Sequence, residues 1–499
     1  MEKKLILVTG ATGYVGARLI PRLLEAGYLV RAAGRSMAKL KARPFAEQEG
    51  VELCSLNVLE RTDLKAALKD VYAVYYLVHS MNSKSRDFAE ADRLAAKNMA
   101  AEAEEAGVRR IIYLGGLGED SPELSKHLRS RAETGEILKS GKVPVTILRA
   151  GMILGSGSTS FEILRYLVER LPFMITPRWV KTPSQPIAIR NVLNYLVGCL
   201  GIEATTGETY DIGGPEVITY MELMQTYARR AGLPRRVILP VPVFTPRISS
   251  YWIHFVTPVP AYIARPLAEG LRNPVVCKNN EILKLIPQDL LDADTAIGIA
   301  LERMRSQTVE SSWTDAGSMP ADEWLAPGDP GWAGGTYYED SRIITVSDTT
   351  KEVWQRLVRL GGKTGWYYGN WLWKLRGFMD RMLGGVGLNR GRRNENELGV
   401  GDALDFWRVV EVEEEKHLLL LAEMKLPGEA ILEFQICPQG THTQVRQIAR
   451  FVPHGLLGLL YWWAVTPLHE FVFSGMLKGV AAKSPATIVE GPHKQPGKS

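Results

Sequence analysis

Cysteine is scarce in this chain of 499 residues, and the four present, Cys54, Cys199, Cys277 and Cys437, stand far apart. None forms a CxxC pair, which argues against a disulfide framework or a structural zinc site and fits a reducing, cytoplasmic setting. An excess of one charge is lacking too. Sixty Lys and Arg against 55 Asp and Glu leave a formal charge of +5, too mild to suggest a nucleic-acid partner, whose sites gather basic residues on one face. The eight histidines show no HxxxH or HExxH spacing, so no metal site is expected. There is no nucleophile elbow and no internal repeat. Met1 to Lys4 runs straight into a strand pattern without a charged leader and apolar stretch, so no secretory signal is expected. A long unbroken apolar run is also missing. The most apolar segment, Gly455 to Leu477, is interrupted by Pro467, His469 and Glu470. A charge near a bilayer centre costs about 3 kcal/mol or more, so a buried or interfacial helix is predicted rather than a span. The placement expected is cytoplasmic, with peripheral membrane or lipid contact as its one extension.

The length exceeds what a single core sustains, so at least two domains are expected. From Lys4 to Arg149, strand and helix patterns alternate. Leu5–Thr9, Leu29–Ala33, Val71–Val78, Ile111–Leu114 and Val145–Leu148 read as strands. Ala17–Ala26, Leu64–Leu68 and Phe88–Ala106 read as helices, the first carrying Pro21 as a local cost. That alternation predicts an α/β, doubly wound parallel Rossmann-type sheet. From about residue 151 to 305 the pattern loosens into a substrate-side subdomain, with helices in Ile187–Gly201 and Met221–Ala231. Seven prolines between Pro240 and Pro274 make an irregular segment there, expected to cover a substrate.

Residues 306–336, rich in Gly, Pro, Ser and Asp, read as a linker or extended arm, with Trp313, Trp324 and Trp332 suited to lying on a surface. From 337 to 485 a strand (Arg342–Val346) and a helix (Thr349–Leu360, capped by Thr349) come first. Four strand-like runs follow (Ala403–Val412, His417–Met424, Ala430–Cys437 and Thr443–Phe451), then a long helix, His454–Ala482. This order predicts an α+β domain. The tail after Pro485 is expected to fray. Asp92 and Glu104 are expected on a solvated helix face, and Arg390–Arg393 (RGRR) in a loop.

Thr9 to Gly16 reads TGATGYVG, directly after the first strand and opening the first helix. In that context Gly10 permits the sharp turn, Gly13 lets the backbone approach a pyrophosphate, and Gly16 lets the helix pack on the sheet. Thr12, Tyr14 and Val15 complete the loop. The amides at the helix start face negative charge. The alternative is a glycine-rich turn with no ligand. The second strand ends RAAGRS, without the acid that bonds a ribose 2′-OH. Arg35 and Ser36 instead suit a 2′-phosphate, which favours NADP, with NAD as the alternative. Val58 and His79 are further candidates along the cofactor edge, His79 reaching the nicotinamide half or merely lining the crevice.

TGATGYVGARLI, YYLVHSM (Tyr75 to Met81), AGVRRIIYLGGLG and LRAGMILG (Leu148 to Gly155) resemble the atypical, NmrA-like branch of the short-chain dehydrogenase/reductases, over roughly the first 300 residues. The resemblance implies NAD(P) at the carboxyl edge of the sheet. It also implies a catalytic Ser after the fifth strand and a Tyr-x-x-x-Lys pair on the next helix. This sequence departs from that set. Gly115 and Gly116 stand at the serine position, and His127 and Arg131 fall at the spacing of the pair. A histidine can act as a general acid near neutral pH, and an arginine can hold a ribose or phosphate. Equally open is a reading of both as surface residues of a non-catalytic helix. The C-terminal part, about Tyr337 to Lys483, resembles the DUF2867 extension, and its order looks like the helix-grip (START-like) fold. That fold implies an apolar cavity lined by Trp366, Tyr367, Tyr368, Trp371 and Trp373, unless these are plain core.

Two functions follow. One is an NADP(H)-dependent oxidoreductase acting on an apolar carbonyl or enone-like small molecule. The other is a non-catalytic NADP(H)-binding sensor or scaffold with a lipid- or partner-binding C-terminal domain. The sequence does not set the oligomeric state.

Overall fold

The computed structural model describes residues 3–78, 88–118, 125–241, 256–259, 264, 267, 269–270, 273–302, 329–330, 333–362, 364–382, 385–387 and 398–495. The chain divides into two compact units. The first is Met1–Arg303 with Met319–Gly335, and the second is Met304–Ser318 with Thr336–Ser499. A stretch of the expected linker thus belongs to the first unit.

The first unit is built on a seven-stranded parallel sheet. Its strands are β1 (Leu5–Thr9), β2 (Leu29–Gly34), β3 (Val51–Ser55), β4 (Ala73–Tyr76), β5 (Arg110–Gly116), β6 (Val145–Ala150) and β7 (Thr209–Ile212), in the order β7-β6-β5-β4-β1-β2-β3. Helices α1 (Tyr14–Glu25), α2 (Met37–Lys41), α3 (Arg61–Ala67), α4 (Phe88–Glu105), α5 (Lys126–Lys139), α6 (Thr159–Arg170), α7 (Ile189–Gly201), α8 (Tyr220–Arg230), α9 (Glu281–Leu285) and α10 (Ala293–Leu301) complete it. Both faces of the sheet are covered. Ile6 and Val8 lie in one apolar cluster and Leu7 in another, which is why β1 reads as a continuous apolar run instead of an alternating one. The strand order reverses between β1 and β4, and ligands of such sheets bind outside the carboxyl ends at that point.

Several elements differ from the sequence expectation. β3 and α6 are additional. In α6, every residue from Phe161 to Val168 is buried, Glu162 and Arg165 included, so the helix has no polar face to give it a period. Asp92 is buried and accepts a hydrogen bond from Ser130 at 3.2 Å, whereas Glu104 is exposed. Packing of α4 against α5 removes Asp92 from solvent. Most of the Pro240–Pro274 segment and the RGRR stretch lie outside the described residues.

The second unit is an antiparallel sheet with a long helix packed on it. Its strands are β8 (Tyr338–Val346), β9 (Ala403–Leu404), β10 (Trp407–Glu413), β11 (His417–Ala422), β12 (Gly428–Gln439), β13 (His442–Pro453) and β14 (Ile488–Gln495), in the order β9-β10-β11-β12-β13-β8-β14. Its helices are α11 (Thr350–Val358), α12 (Asn370–Met382) and α13 (Gly455–Ala481). Thr349 caps α11 in a reciprocal capping box with Glu352. The described part of the tail does not fray: β14 pairs with β8 along the sheet edge, a position that tolerates Pro492.

The aromatic stretch divides between interior and surface. Trp366 is fully buried, stacked 4.9 Å from Trp373, and its indole N–H donates to Asp405 at 2.9 Å. Trp371 is 65% exposed. The five aromatics therefore do not line one cavity; Trp366 and Trp373 are core and Trp371 faces outward.

Candidate functional site

The strand order reverses at the neighbouring strands β1 and β4, and one side chain links their carboxyl ends. Thr9 donates its hydroxyl to the Tyr75 carbonyl (3.0 Å) and accepts from the Leu77 amide (3.1 Å). The glycine loop begins at the next residue. Gly10 has φ +69°, and a Cβ there would stand 2.7 Å from the Leu77 carbonyl oxygen. Only glycine fits both conditions. A Cβ on Gly16 would fall 2.5 Å from the Gly10 carbonyl oxygen, so this glycine lets α1 sit against the loop. Gly13 differs. It is the N-cap of α1 with no side-chain cap bond, and a Cβ there would meet only the Gly10 oxygen, at 3.1 Å. Its missing side chain clears space above the loop, as a diphosphate requires. The loop is braced from behind by Arg43, which donates to the Thr12 carbonyl and pairs with Asp329 (3.1 Å).

A cleft of about 550 Å³ opens over this loop. Gly10, Thr12, Gly13, Tyr14, Val15, Gly16, Arg35, Val58 and Arg131 all line it. Arg35 is exposed just beyond β2, with no acid in the RAAGRS turn. Ser36 is not among the lining residues; its hydroxyl accepts from the Lys39 amide and caps α2. His79 lies outside the described residues. His127 lies in the first turn of α5, and its side chain is likewise outside them.

At the carboxyl end of β5 the cleft passes Gly115, Gly116, Leu128 and Arg131. A Cβ on Gly116 would come within 2.9 Å of Leu128 Cδ2 and 3.3 Å of Arg131 Cδ. Glycine at the serine position thus makes room for the larger arginine. Arg131 Nη2 donates to the Leu114 carbonyl at 2.5 Å, while its buried Nε has no partner among the described residues.

Beyond that point the cleft is mostly apolar, with Met152, Ile163, Leu167, Met174 and Met224 on its walls. Three polar groups that sequence reasoning missed also line it. Thr176 Oγ1 and Trp179 Nε1 are buried without a partner among the described residues. Such groups cost free energy unless a ligand satisfies them. The third, Tyr220, is a phenol whose pKa burial drives far above its ordinary value, keeping it neutral. No local motif marks these three; β-strand and helix pairing far along the chain brings them together. Ala264, Leu267 and Gly270 of the proline-rich segment also reach the lining.

Burial holds the thiols of Cys199 and Cys277 protonated, pushed up to about 11 and about 12, which removes them as nucleophiles. Among the described residues no group of three His, Cys, Asp or Glu is placed to hold a metal ion.

Two family models match the chain. Residues 10–170 match an NAD(P)H-binding family, and residues 332–476 match a protein family of unknown function, DUF2867. Among curated proteins, the mitochondrial NADH dehydrogenase [ubiquinone] 1 alpha subcomplex subunit 9 of Arabidopsis thaliana is 26% identical over 242 residues, 47% of this chain and 60% of that protein. Cinnamoyl-CoA reductase 1 of Oryza sativa is 33% identical over 23% of this chain and 36% of its own length. A (4-alkanoyl-5-oxo-2,5-dihydrofuran-3-yl)methyl phosphate reductase of Streptomyces griseus is 28% identical over 46% and 76%. The chain thus spans less than two thirds of the length of the first two. A triphenylmethane reductase of Citrobacter superposes with a TM-score of 0.50 over 60% of this chain and 99% of its own, at 20% identity, a likeness of fold.

Proposed function

We propose that this chain, which joins an NAD(P)H-binding Rossmann domain of the NmrA-like type to a C-terminal DUF2867 domain, is an NADP(H)-dependent oxidoreductase for an apolar carbonyl or enone-like small molecule. The observation that carries the reading is a single cleft with a glycine loop at one end and an apolar chamber at the other. When bound, the cofactor supplies or accepts a hydride. The chain's own residues do the rest. The Gly10–Gly16 loop seats the diphosphate, and Arg35 receives the 2′-phosphate. Arg131, fixed through the Leu114 carbonyl, holds the ribose. Thr176 and Trp179 offer hydrogen bonds to an acceptor atom on an otherwise apolar substrate. His127 delivers the proton. Reductases among the relatives and four unpaired cysteines support an enzyme working in a reducing cytoplasm.

A second reading, an NADP(H)-binding sensor or scaffold without turnover, is favoured by one observation: Gly116 and Arg131 fill the place of the family's serine and lysine. Following NADPH absorbance against a panel of ketones, enones and quinones separates the two. Turnover that falls when Thr176→Val is introduced supports the enzyme. Tight NADPH binding with no turnover across the panel supports the sensor, and no binding of either cofactor refutes both.

A further inference from the structure

The second unit has an apolar surface that its own core does not use. On α12, Trp371 (65% exposed), Leu375, Phe378, Met379 and Met382 (74%) all face outward. Their spacing places them on one side of the helix, and Gly377 and Asp380 on the other side are buried. Asp380 is turned inward to accept backbone N–H groups of Lys425 and Gly387. On α13, the turns from Leu456 to Phe471 do the same. Leu456, Leu457 (72%), Leu460, Trp463 (68%), Leu468 and Phe471 are exposed, and Trp462, Phe473, Met476 and Val480 face the sheet.

The start of α12 approaches the middle of α13, and the loop from Lys425 to Pro427 touches both helices farther along. Near the start of α12, Trp373 approaches Phe473 (6.4 Å), and Tyr368 meets Phe471 edge-on at 5.0 Å. Toward its end, Arg376 donates to the Lys425 carbonyl, and the adjoining Pro427 carbonyl receives the His454 amide at the start of α13. Tyr368 and Phe471 are themselves exposed, so the two outward faces meet there. An exposed apolar patch of this size marks an interaction site.

Charge decides among occupants. Lys374 and Arg381 are exposed along one margin of the apolar side of α12, and Lys425 is exposed in the loop that touches it. The one carboxylate on the outward side of α13, Glu470, is paired with Arg342 at 2.9 Å, a guanidinium it shares with Asp340. An apolar face with interfacial tryptophans and a basic margin is the pattern of helices lying in the plane of an anionic bilayer. α13 is long and apolar enough to cross a membrane by length and composition alone. However, its inner face is committed. Trp462 stacks between Tyr338 and Phe451, at 4.9 and 5.7 Å, and Arg342 links Glu470 to the Asp340 carboxylate. A span would have to strip these contacts.

We propose that the outward faces of α12 and α13 dock the second unit onto the surface of an anionic phospholipid membrane, with Trp371, Phe378, Leu457 and Trp463 entering the interface and Lys374, Arg381 and Lys425 meeting the headgroups. The test is co-sedimentation of the full chain with vesicles of phosphatidylcholine alone and of phosphatidylcholine with phosphatidylglycerol. Binding to the anionic vesicles should exceed binding to the neutral ones by about tenfold or more and weaken with added salt. Phe378→Glu with Trp463→Glu should abolish it while NADPH affinity, read by calorimetry, stays unchanged. Lys374→Glu with Lys425→Glu should reduce anionic binding only. Equal binding to both vesicle types overturns the proposal. So does extraction from membranes only by detergent, which means a span, and so does a dimer that Trp463→Glu dissociates without any vesicle binding, which means the face joins two copies of this chain.

Discussion

The carboxylate of Asp329 stands 2.8 Å from the guanidinium of Arg18, a residue 311 positions earlier in the sequence. It also receives Arg43, which braces the Thr12 carbonyl. Both partners and the acid are almost wholly buried. Removing one member of a buried pair leaves an uncompensated charge, which costs roughly 3–5 kcal/mol. Asp329→Ala should therefore lower the melting temperature of the first unit and weaken NADPH binding together. Thermal unfolding with and without NADPH reads both, and an unchanged melting temperature would show that the arm is not anchored there.

Gly13→Asp should abolish dinucleotide binding while the fold survives. The position has φ −79° and caps α1, so aspartate is conformationally at home and even a good cap. Its carboxylate would occupy the diphosphate space with like charge. Calorimetry and circular dichroism check the two halves. Native-like affinity in the variant would move the cofactor elsewhere.

The native protein should prefer NADPH over NADH, and Arg35→Ala should erase about tenfold or more of that preference, since a hydrogen bond to a charged group contributes roughly 1.5–3 kcal/mol. The exposed guanidinium makes the difference sensitive to salt. Equal dissociation constants for the two cofactors in the native protein would contradict the assignment of the 2′-phosphate to Arg35.

Acid should unfold the second unit in two stages. Burial depresses His469 from 6.5 to about 4, so the unit holds the neutral form and loses stability as pH falls from 6.5 through about 4. Burial alone would raise Glu433, but the His417 hydrogen bond and the Arg450 charge outweigh it and hold the carboxyl at about 2. Its contribution is present above 4.5 and is lost as pH falls toward about 2. His417, raised chiefly by its hydrogen bond to Glu433, works the other way. Its contribution is complete below 6.5 and disappears as pH rises through its raised value. Melting temperatures followed by tryptophan fluorescence should drop between pH 6.5 and about 4. His469→Phe should flatten that slope; an unchanged slope would assign it to other groups.

The first β–α–β turn was legible because its chemistry is local: three glycines, a strand before them and a helix after. β3 escaped because the alternation of VELCS breaks at Cys54 after three residues, and α6 because Glu162 and Arg165 are paired within its buried stretch, Phe161 to Val168. The cofactor end of the cleft was likewise readable from Gly10, Gly13, Gly16 and Arg35. Its substrate end was not. Thr176, Trp179 and Tyr220 carry no spacing signal, since what matters about them is a hydroxyl, an indole and a phenol turned into one chamber by distant segments. In the second unit, the succession of strands as far as β13 and the long helix were visible from the apolar pattern, whereas β14 was not. The sidedness of Trp366 and Trp371, five residues apart, depends on which one the Asp405 carboxylate captures.

The pairing of β14 with β8 joins the last strand of the second unit to its first. A ribosome must therefore complete nearly the whole unit before the edge of β8 can be covered. Until then β8 is a nascent, unpaired template open to the wrong neighbour. Such distant closure is slow compared with the helices that form meanwhile, so β8 stays exposed to mispairing through most of the synthesis of its own unit.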